Sequence, residues 1–536
     1  MNSAVNNIGQ QQNNADDMYQ LMQNAYKKIG LKSDVEDKEL IDHLERASVE
    51  VKELLSTSFG PWGLNKLITN HVGDVYLTND GKTIIKEMDV LHPIVTSLND
   101  LSKSMDRSCG DGTKTAVILA SGLIVNAIKL IKIGVHPTTI IKGYKLALNK
   151  AYELIEFNSI TAKSYDETYA AILSASFAKG IELDQAKKLS TMVVDVIEHL
   201  TTISSDGYLD LEENIKIMKK VGGPDILHLN GVILDETPAR FDMPESVSDP
   251  NILILNYDLK VKSEFINSKR NISMDGIETA HMFNEENKKI LDGFADKIIN
   301  CNANVVFCEG DVDPRIEARL VENNILMFKK LKNKDLENIS KATGTQIMSI
   351  KDNLEPNHLG KANGVEVTKK CGEHFAFINV ENQMISTILI WEPFNYALEK
   401  VEEAADDALN TAAFILRNKK LVTGGGGVEF VVSQMLKNYA TTIEGKEQLA
   451  VIEYANALEE IPRILASNEG MNVIDSMAKM SNFYKKGLNP RIDTSRFVTE
   501  NNPLVYDSAS IKKLAVISAT ETATSVLRID KILLKK

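Results

Sequence analysis

The hydrophobic rhythm of this chain changes twice, and that change limits its architecture more than any single motif does. In the first third, apolar residues recur at helical spacing. Ile41, Leu44, Ala47, Val51 and Leu54 share one face, and the pattern stops at Ser58-Phe59-Gly60-Pro61. A strongly apolar helix is expected from Thr113 to about Ile133; Gly134 punctuates it, and His136-Pro137 opens another through GYKLALNKAYELIE. After about residue 200 the runs become β-branched and strand-like: SSDGYLDL, ILHLNGVIL, NILILNY and NANVVFC. Helical stretches such as NEENKKILDGFADKIIN separate them. From Asn395 long helices return in NYALEKVEEAADDALNTAAFIL, VEFVVSQMLKNYA and QLAVIEYANALEEIPRILA. VYLTNDGKTII (75–85) reads as two short strands around an Asn-Asp-Gly turn. With 536 residues the chain exceeds one compact core, so two to four domains are expected. Helical ends around an α/β middle, roughly 228–384, fit three domains in a row or one helical domain split by an insertion. The pattern alone does not choose.

Composition narrows the class of partner. The formal net charge is −13 and no dense Lys/Arg block occurs, which argues against nucleic acid or an anionic membrane as the main partner. The four cysteines, at 109, 301, 308 and 371, are too sparse for a disulfide framework and lack zinc-site spacing, so a reducing compartment is expected. MNSAVNNIGQQQNNADD has no apolar signal-peptide core, and its Asn/Gln bias (about 1–16) reads as a disordered tail. The apolar run Ala116–Val125 is interrupted at Ser121-Gly122 and reads as too short to span a bilayer. A cytoplasmic, soluble, multidomain protein is expected.

Four motifs carry possible chemistry, each with a plain structural alternative. In SCGDGTKTAVILASGLI (108–124), Gly110 and Gly112 permit close backbone approach, and Thr113 and Thr115 can cap a helix whose first N–H groups favour an anion. Asp111 would repel a bare phosphate, so it makes sense there only with a cation such as Mg²⁺ between them. The alternative is a turn and a capped helix. Gly81-Lys82-Thr83 ends like a Walker A loop, but Tyr76 stands where that loop needs glycine; Asp80 then has turn chemistry as its default role. Gly60-Pro61-Trp62-Gly63 is a helix terminator or one wall of a phosphate pocket. Gly424 to Gly427 precede an apolar helix, so something should approach that backbone closely; a flexible linker is the alternative. The acidic residues Glu402, Glu403, Asp406 and Asp407 read as a solvated helix face, and periodicity does not select Asp407.

Taken in order, these pieces resemble a group II chaperonin subunit over nearly the whole chain. The resemblance rests on TSFGPWGLNKLI, LTNDGKTII, GDGTKTAVILASGLI, GVHPTTIIKGYKLA, ENIKIMKKVGG, DDALNTAAFILRNKKLVTGGGGVEF and ATSVLRIDKILL. Within the family, NKLITNH, the DDALNT-to-KLVTGGGG stretch and SVLRIDKI are most similar to the theta-type subunit of the eukaryotic cytosolic chaperonin, CCT/TRiC. The resemblance implies a multidomain α+β and α/β fold. A mostly helical equatorial domain would comprise 1–158 and 412–536, a small intermediate domain 159–227 and 385–411, and an inserted α/β apical domain with a helical protrusion 228–384. It further implies ATP/ADP and Mg²⁺ as cofactors, paralogous subunits in a double-ring hetero-oligomer as partners, and unfolded clients such as cytoskeletal actin and tubulin. By similarity Asp111 coordinates Mg²⁺, and Gly112, Thr113, Lys114 and Thr115 contact phosphates. Phe59, Gly60, Pro61 and Gly425 line the nucleotide, and Asp407 and Asp80 are the catalytic carboxylates.

Departures from the family pattern fall at Trp62 in the Gly-Pro-x-Gly loop, Thr423 in place of proline and Gly427 in place of alanine. Thr499-Glu500 stands where an Asp-Met pair meets the ribose, leaving Glu500 as the candidate substitute, and LIWEP (389–393) replaces a glycine-containing hinge. These departures motivate a second reading: a structural ring subunit that binds nucleotide but hydrolyses it slowly or not at all. A stand-alone kinase or NTPase lacks support, because neither a Walker A loop nor a kinase signature set is present.

Overall fold

The computed structural model describes residues 37–69, 75–87, 92–203, 210–260, 277–349, 353–380, 385–493, 497–499 and 505–529. The expected N-terminal tail, Glu500 and most of SSDGYLDL lie outside these. The chain divides into two compact units, one combining 1–161 with 420–536 and the other comprising 162–419. Both ends of the chain thus build a single unit.

The first unit is organised around the helix Thr113–Lys132. Its residues are apolar on nearly all sides, and Val117, Ile118, Leu123, Ile124 and Ile128 are fully buried. A helix without a polar face has to be jacketed by others. Asp37–Ser56, Pro93–Cys109, Glu447–Leu458 and Ala509–Val526 supply the jacket. By length and composition this helix could cross a membrane, more than the run Ala116–Val125 suggests, but most of it is buried within the unit. It ends where Gly134 turns left-handed (φ 90°) and Val135 N–H closes on Leu130 O at 3.0 Å. His136 then accepts from Thr138 N–H and Pro137 takes the first helical position of Pro137–Phe157. Two buried tyrosines lock the jacket. Their rings meet edge-on at 5.4 Å, Tyr144 donating to Leu123 O (2.8 Å) and Tyr454 bonding Thr520 Oγ1 (2.7 Å).

The chain leaves and re-enters this unit side by side. Ile160–Thr161 and Lys420–Thr423 pair antiparallel, and Tyr506–Ser508 completes the three-stranded sheet. A second small sheet pairs Lys66–Thr69 with Val75–Thr78. The expected strand after Asp80 is instead the helix Gly81–Glu87. Asp80 Oδ2 accepts from Thr83 N–H at 3.0 Å and Thr83 Oγ1 at 3.2 Å, which satisfies a helix-start donor and outweighs the β-branched pattern of TII.

The second unit contains two sheets. Tyr165–Ala178, Leu183–Ile203 and Asn395–Asn418 pack together against one face of a six-stranded sheet through Ile172, Val193, Ile197, Val401 and Ala405. The strand Ser386–Glu392 lies inside that sheet, between Ile215–Val221 and Asp225–Leu234, so the LIWEP segment enters a buried strand. Its Trp391 is 1% exposed and meets Phe375 edge-on at 5.5 Å. The other sheet is mostly parallel, with Ile347–Met348, Asn251–Leu255, Val305–Cys308 and Leu326–Phe328 in that order. The helices Ile277–Asn300, Pro314–Glu322 and Asn333–Thr343 accompany it, the α/β pattern the sequence predicts.

Close packing in the first unit yields a direct test. A Cβ at Gly143 would fall 2.5 Å from Ala450 Cβ and 2.8 Å from Glu447 O, where two helices cross. Gly143→Leu is therefore expected to destabilise this unit by about 1–3 kcal/mol through overpacking, read as a lower urea midpoint. An unchanged midpoint would mean that the crossing is looser than described.

Candidate functional site

Three loops of the first unit meet at the start of the apolar helix. The helix Pro93–Cys109 stops at Gly110 (φ 65°), whose N–H bonds Asp106 O at 2.9 Å. Asp111 follows, then Gly112 (φ 75°) opens Thr113–Lys132. The cap position is thus Gly112, not the expected Thr113 or Thr115. Glycine has no side chain to occupy the first-turn N–H groups of 113–115, which have no acceptor within the helix. That leaves the positive end of a long helix without a side-chain cap from its own N-cap residue, beside a carboxylate. Asp111 accepts the N–H of Gly112, which orients its carboxylate at the turn.

Lys114 ties this turn to the other two loops. Its ammonium donates to Ser58 O and Asn79 O, both at 2.9 Å, and the residue is 8% exposed. Ser58 precedes Phe59-Gly60, and Asn79 precedes Asp80. The lysine stem lies so close to Gly81 that a Cβ there would fall 2.5 Å from Lys114 Cγ. The ammonium is thus engaged with two protein carbonyls, one from each of the other loops. Lys82, the Walker-like lysine, is ion-paired with Asp106.

Gly60 (φ 80°) bends the loop after the first helix, and a Cβ there would meet Leu465 Cδ2 at 2.6 Å. Asn468 fixes the same loop by donating to Ser56 O (2.8 Å) and Phe59 O (2.7 Å). Pro61 is partly buried behind it, and Trp62 is 49% exposed. The glycine run 424–427 explains itself in part. Cβ atoms would clash with Val505 at Gly424, Ile492 O at Gly425, Pro462 at Gly426 and Pro490 O at Gly427. The close approach expected from sequence thus includes the chain's own backbone, and Ile492 N–H bonds Gly425 O at 3.0 Å. One short helix, Glu460–Asn468, serves both corners, with Leu465 at Gly60 and Pro462 at Gly426.

Asp407 belongs to the second unit. On the helix Asn395–Asn418 it is 7% exposed and ion-paired with Lys179 Nζ at 3.2 Å, whereas its neighbour Asp406 is exposed. Burial thus separates two carboxylates that periodicity could not. A buried carboxylate beside a buried ammonium is a costly arrangement that needs both partners. Lys179 stands 228 positions upstream in no recognisable motif, so no sequence signal marks it. Among the described residues no three or more His, Cys, Asp and Glu gather as a ready metal site. Mg²⁺ characteristically takes one or two carboxylates and fills its shell with water and phosphate oxygens, and Asp111 beside a helix N-terminus fits that habit. Glu500 lies outside the described residues.

Comparison with known proteins places the chain. The model of the TCP-1/cpn60 chaperonin family matches residues 51–536. A thermosome subunit of Pyrococcus horikoshii is 34% identical over 496 residues, covering 90% of this chain and 89% of the relative. The thermosome subunit beta of Methanothermobacter thermautotrophicus is 33% identical over 486 residues, with 90% and 89% covered. The thermosome subunit alpha of Archaeoglobus fulgidus is 33% identical over 493 residues, with 91% and 90% covered. With its glycine turns, its split helical unit and these relatives, the chain belongs to the TCP-1/cpn60 chaperonin family, as a group II chaperonin subunit.

Proposed function

We propose that this chain is an ATP-hydrolysing subunit of a hetero-oligomeric double-ring chaperonin, with a nucleotide held at the start of Thr113–Lys132. The observation that carries the reading is convergence within one unit: Gly60 and Gly426 pack on the same helix, Glu460–Asn468, and Gly112 packs on Ile511 beside Lys512, whose partner Asp507 lies at Gly424, with Asp111 next to the helix start. Group II chaperonins are ATP-driven chaperones. The relatives named alpha and beta subunits support an assembly of paralogous chains.

In this reading Gly112, Thr113, Lys114 and Thr115 contact the phosphates, and Asp111 holds Mg²⁺. Phe59, Gly60, Pro61 and Gly425 wall the nucleotide, with Glu500 toward the ribose. The bound Mg²⁺–ATP supplies the phosphoryl group to be cleaved and a cation to draw off its charge. Asp80 and Asp407 are the carboxylates assigned to activating water. Equatorial (1–158, 412–536), intermediate (159–227, 385–411) and apical (228–384) domains divide the labour, and unfolded clients such as actin and tubulin bind the apical part. The sequence features NKLITNH and SVLRIDKI support a theta-type position in a cytoplasmic CCT-like ring. Native size-exclusion in gently lysed cells tests the ring: elution at many times the mass of one chain, with paralogous subunits, is expected, and a lone chain would end the proposal.

Asp407→Ala is expected to lower this subunit's ATP turnover by ~10²–10⁴-fold while nucleotide still binds. Phosphate release from the assembled complex measures this, and unchanged release would favour the structural-subunit reading. Lys114→Met is expected to weaken MgADP binding and to lower thermal stability together, because two buried carbonyls lose a donor at about 1–3 kcal/mol each. Weakened binding with an unaltered melt would instead assign the ammonium directly to phosphate.

A further inference from the structure

The glycine turn 424–427 has no side chains of its own to hold its shape, so its geometry must be imposed from outside. A largely buried ion triad does so. Lys512 Nζ lies 2.7 Å from Glu429 Oε1 and 2.9 Å from Asp507 Oδ2. Glu429 is in the first turn of Gly427–Ala440, the helix that the glycine turn opens. Asp507 is in the strand paired with Lys420–Thr423, immediately before the turn, and a Cβ on Gly424 would stand 3.0 Å from its Oδ1. The lysine therefore grips the segments on both sides of the glycines from a third element, Ala509–Val526. The preceding residue reaches the other glycine loop, since a Cβ on Gly112 would meet Ile511 Cγ2 at 3.0 Å. Lys512 and Glu429 also line one small cleft with Thr115 and Val428, at the foot of the candidate phosphate site.

Three charges largely withdrawn from water, Asp507 least so, contribute little net stability compared with a well-packed apolar trio, so what they chiefly supply is a fixed arrangement. Burial alone would lower the ammonium's pKa, but the Asp507 and Glu429 carboxylates outweigh it and hold it well above its ordinary value, charged at any physiological pH. Glu429 Oε2 is buried without a hydrogen-bond partner among the described residues, so this carboxylate depends on Lys512 for compensation.

We propose that Lys512 is a positioning residue for nucleotide binding, setting the Gly424–Gly427 turn against the Gly112 turn through Glu429 and Asp507. The proposal rests on the nucleotide-site reading above. Its test uses the assembled protein, with MgADP titration, steady-state MgATP kinetics and amide hydrogen exchange over 424–430. Lys512→Met is expected to raise the MgADP Kd and the MgATP KM roughly 10- to 100-fold, as misplacement of a binding wall does, with kcat nearly unchanged and exchange at 424–430 accelerated. Lys512→Arg, which keeps the charge, should recover most of the affinity. If Lys512→Met fails to fold, Glu429→Gln and Asp507→Asn are judged by the same KM-against-kcat split. Folded variants that bind MgADP as tightly as the wild type overturn the positioning role alone. A wild-type protein that binds no MgADP overturns the nucleotide-site reading and this proposal with it.

Discussion

Burial of the helix Thr113–Lys132 is the constraint on which the rest of the first unit depends. A twenty-residue helix with scarcely any polar face cannot sit at a surface, and each large aliphatic side chain removed from water is worth roughly 1.5–3 kcal/mol. That drive collects helices from both ends of the chain around one rod. The placement has a chemical by-product. The rod's N-terminus, the one part that cannot be apolar, begins at Gly112 without a side-chain cap, and its first-turn N–H groups lie beside Asp111. The same element is thus the anchor of the core and the floor of the candidate site.

In both units the protein uses lysines as internal ties. Lys114 joins three loops through two carbonyls, Lys512 joins two carboxylates on separate elements, and Lys179 meets Asp407 in the other unit. None of these ammonium groups sits in a solvated patch, so the chain's acidic balance says little about them. Long side chains suit the role because a four-carbon stem spans between elements while only the tip needs polar partners.

Much of this was legible beforehand, and the misses have identifiable causes. The helix stop expected at Ser58-Phe59-Gly60-Pro61 falls two residues earlier, at Ser56, and the boundaries at Gly134 and Pro137 follow from turn and cap chemistry, which is local. The run after Asp80 was misread because TII is β-branched, whereas a single carboxylate capping Thr83 decides for helix. The glycine run signalled a close approach, yet its partners at Pro462, Pro490 and Ile492 could not be inferred from spacing. Asp407 and Asp406 are adjacent on one helix, and only tertiary burial separates them. Lys114 was noticed as part of a motif, but its acceptors lie 56 and 35 residues away, beyond any pattern-based argument.

The split construction of the first unit has a consequence for biosynthesis. The ribosome finishes Lys132 early, whereas Ala509, the start of a helix that covers the rod, emerges 377 residues later (509 − 132). At roughly 5–20 residues per second that interval is about 20–75 s, during which this apolar rod waits with only the part of its jacket that precedes it, Asp37–Ser56 and Pro93–Cys109. The second unit, whose sequence is contiguous, can complete its own packing within that time. A nascent chain of this design is thus exposed to the aggregation hazard that a chaperonin relieves in others, and it would itself profit from being shielded until its last helix is made.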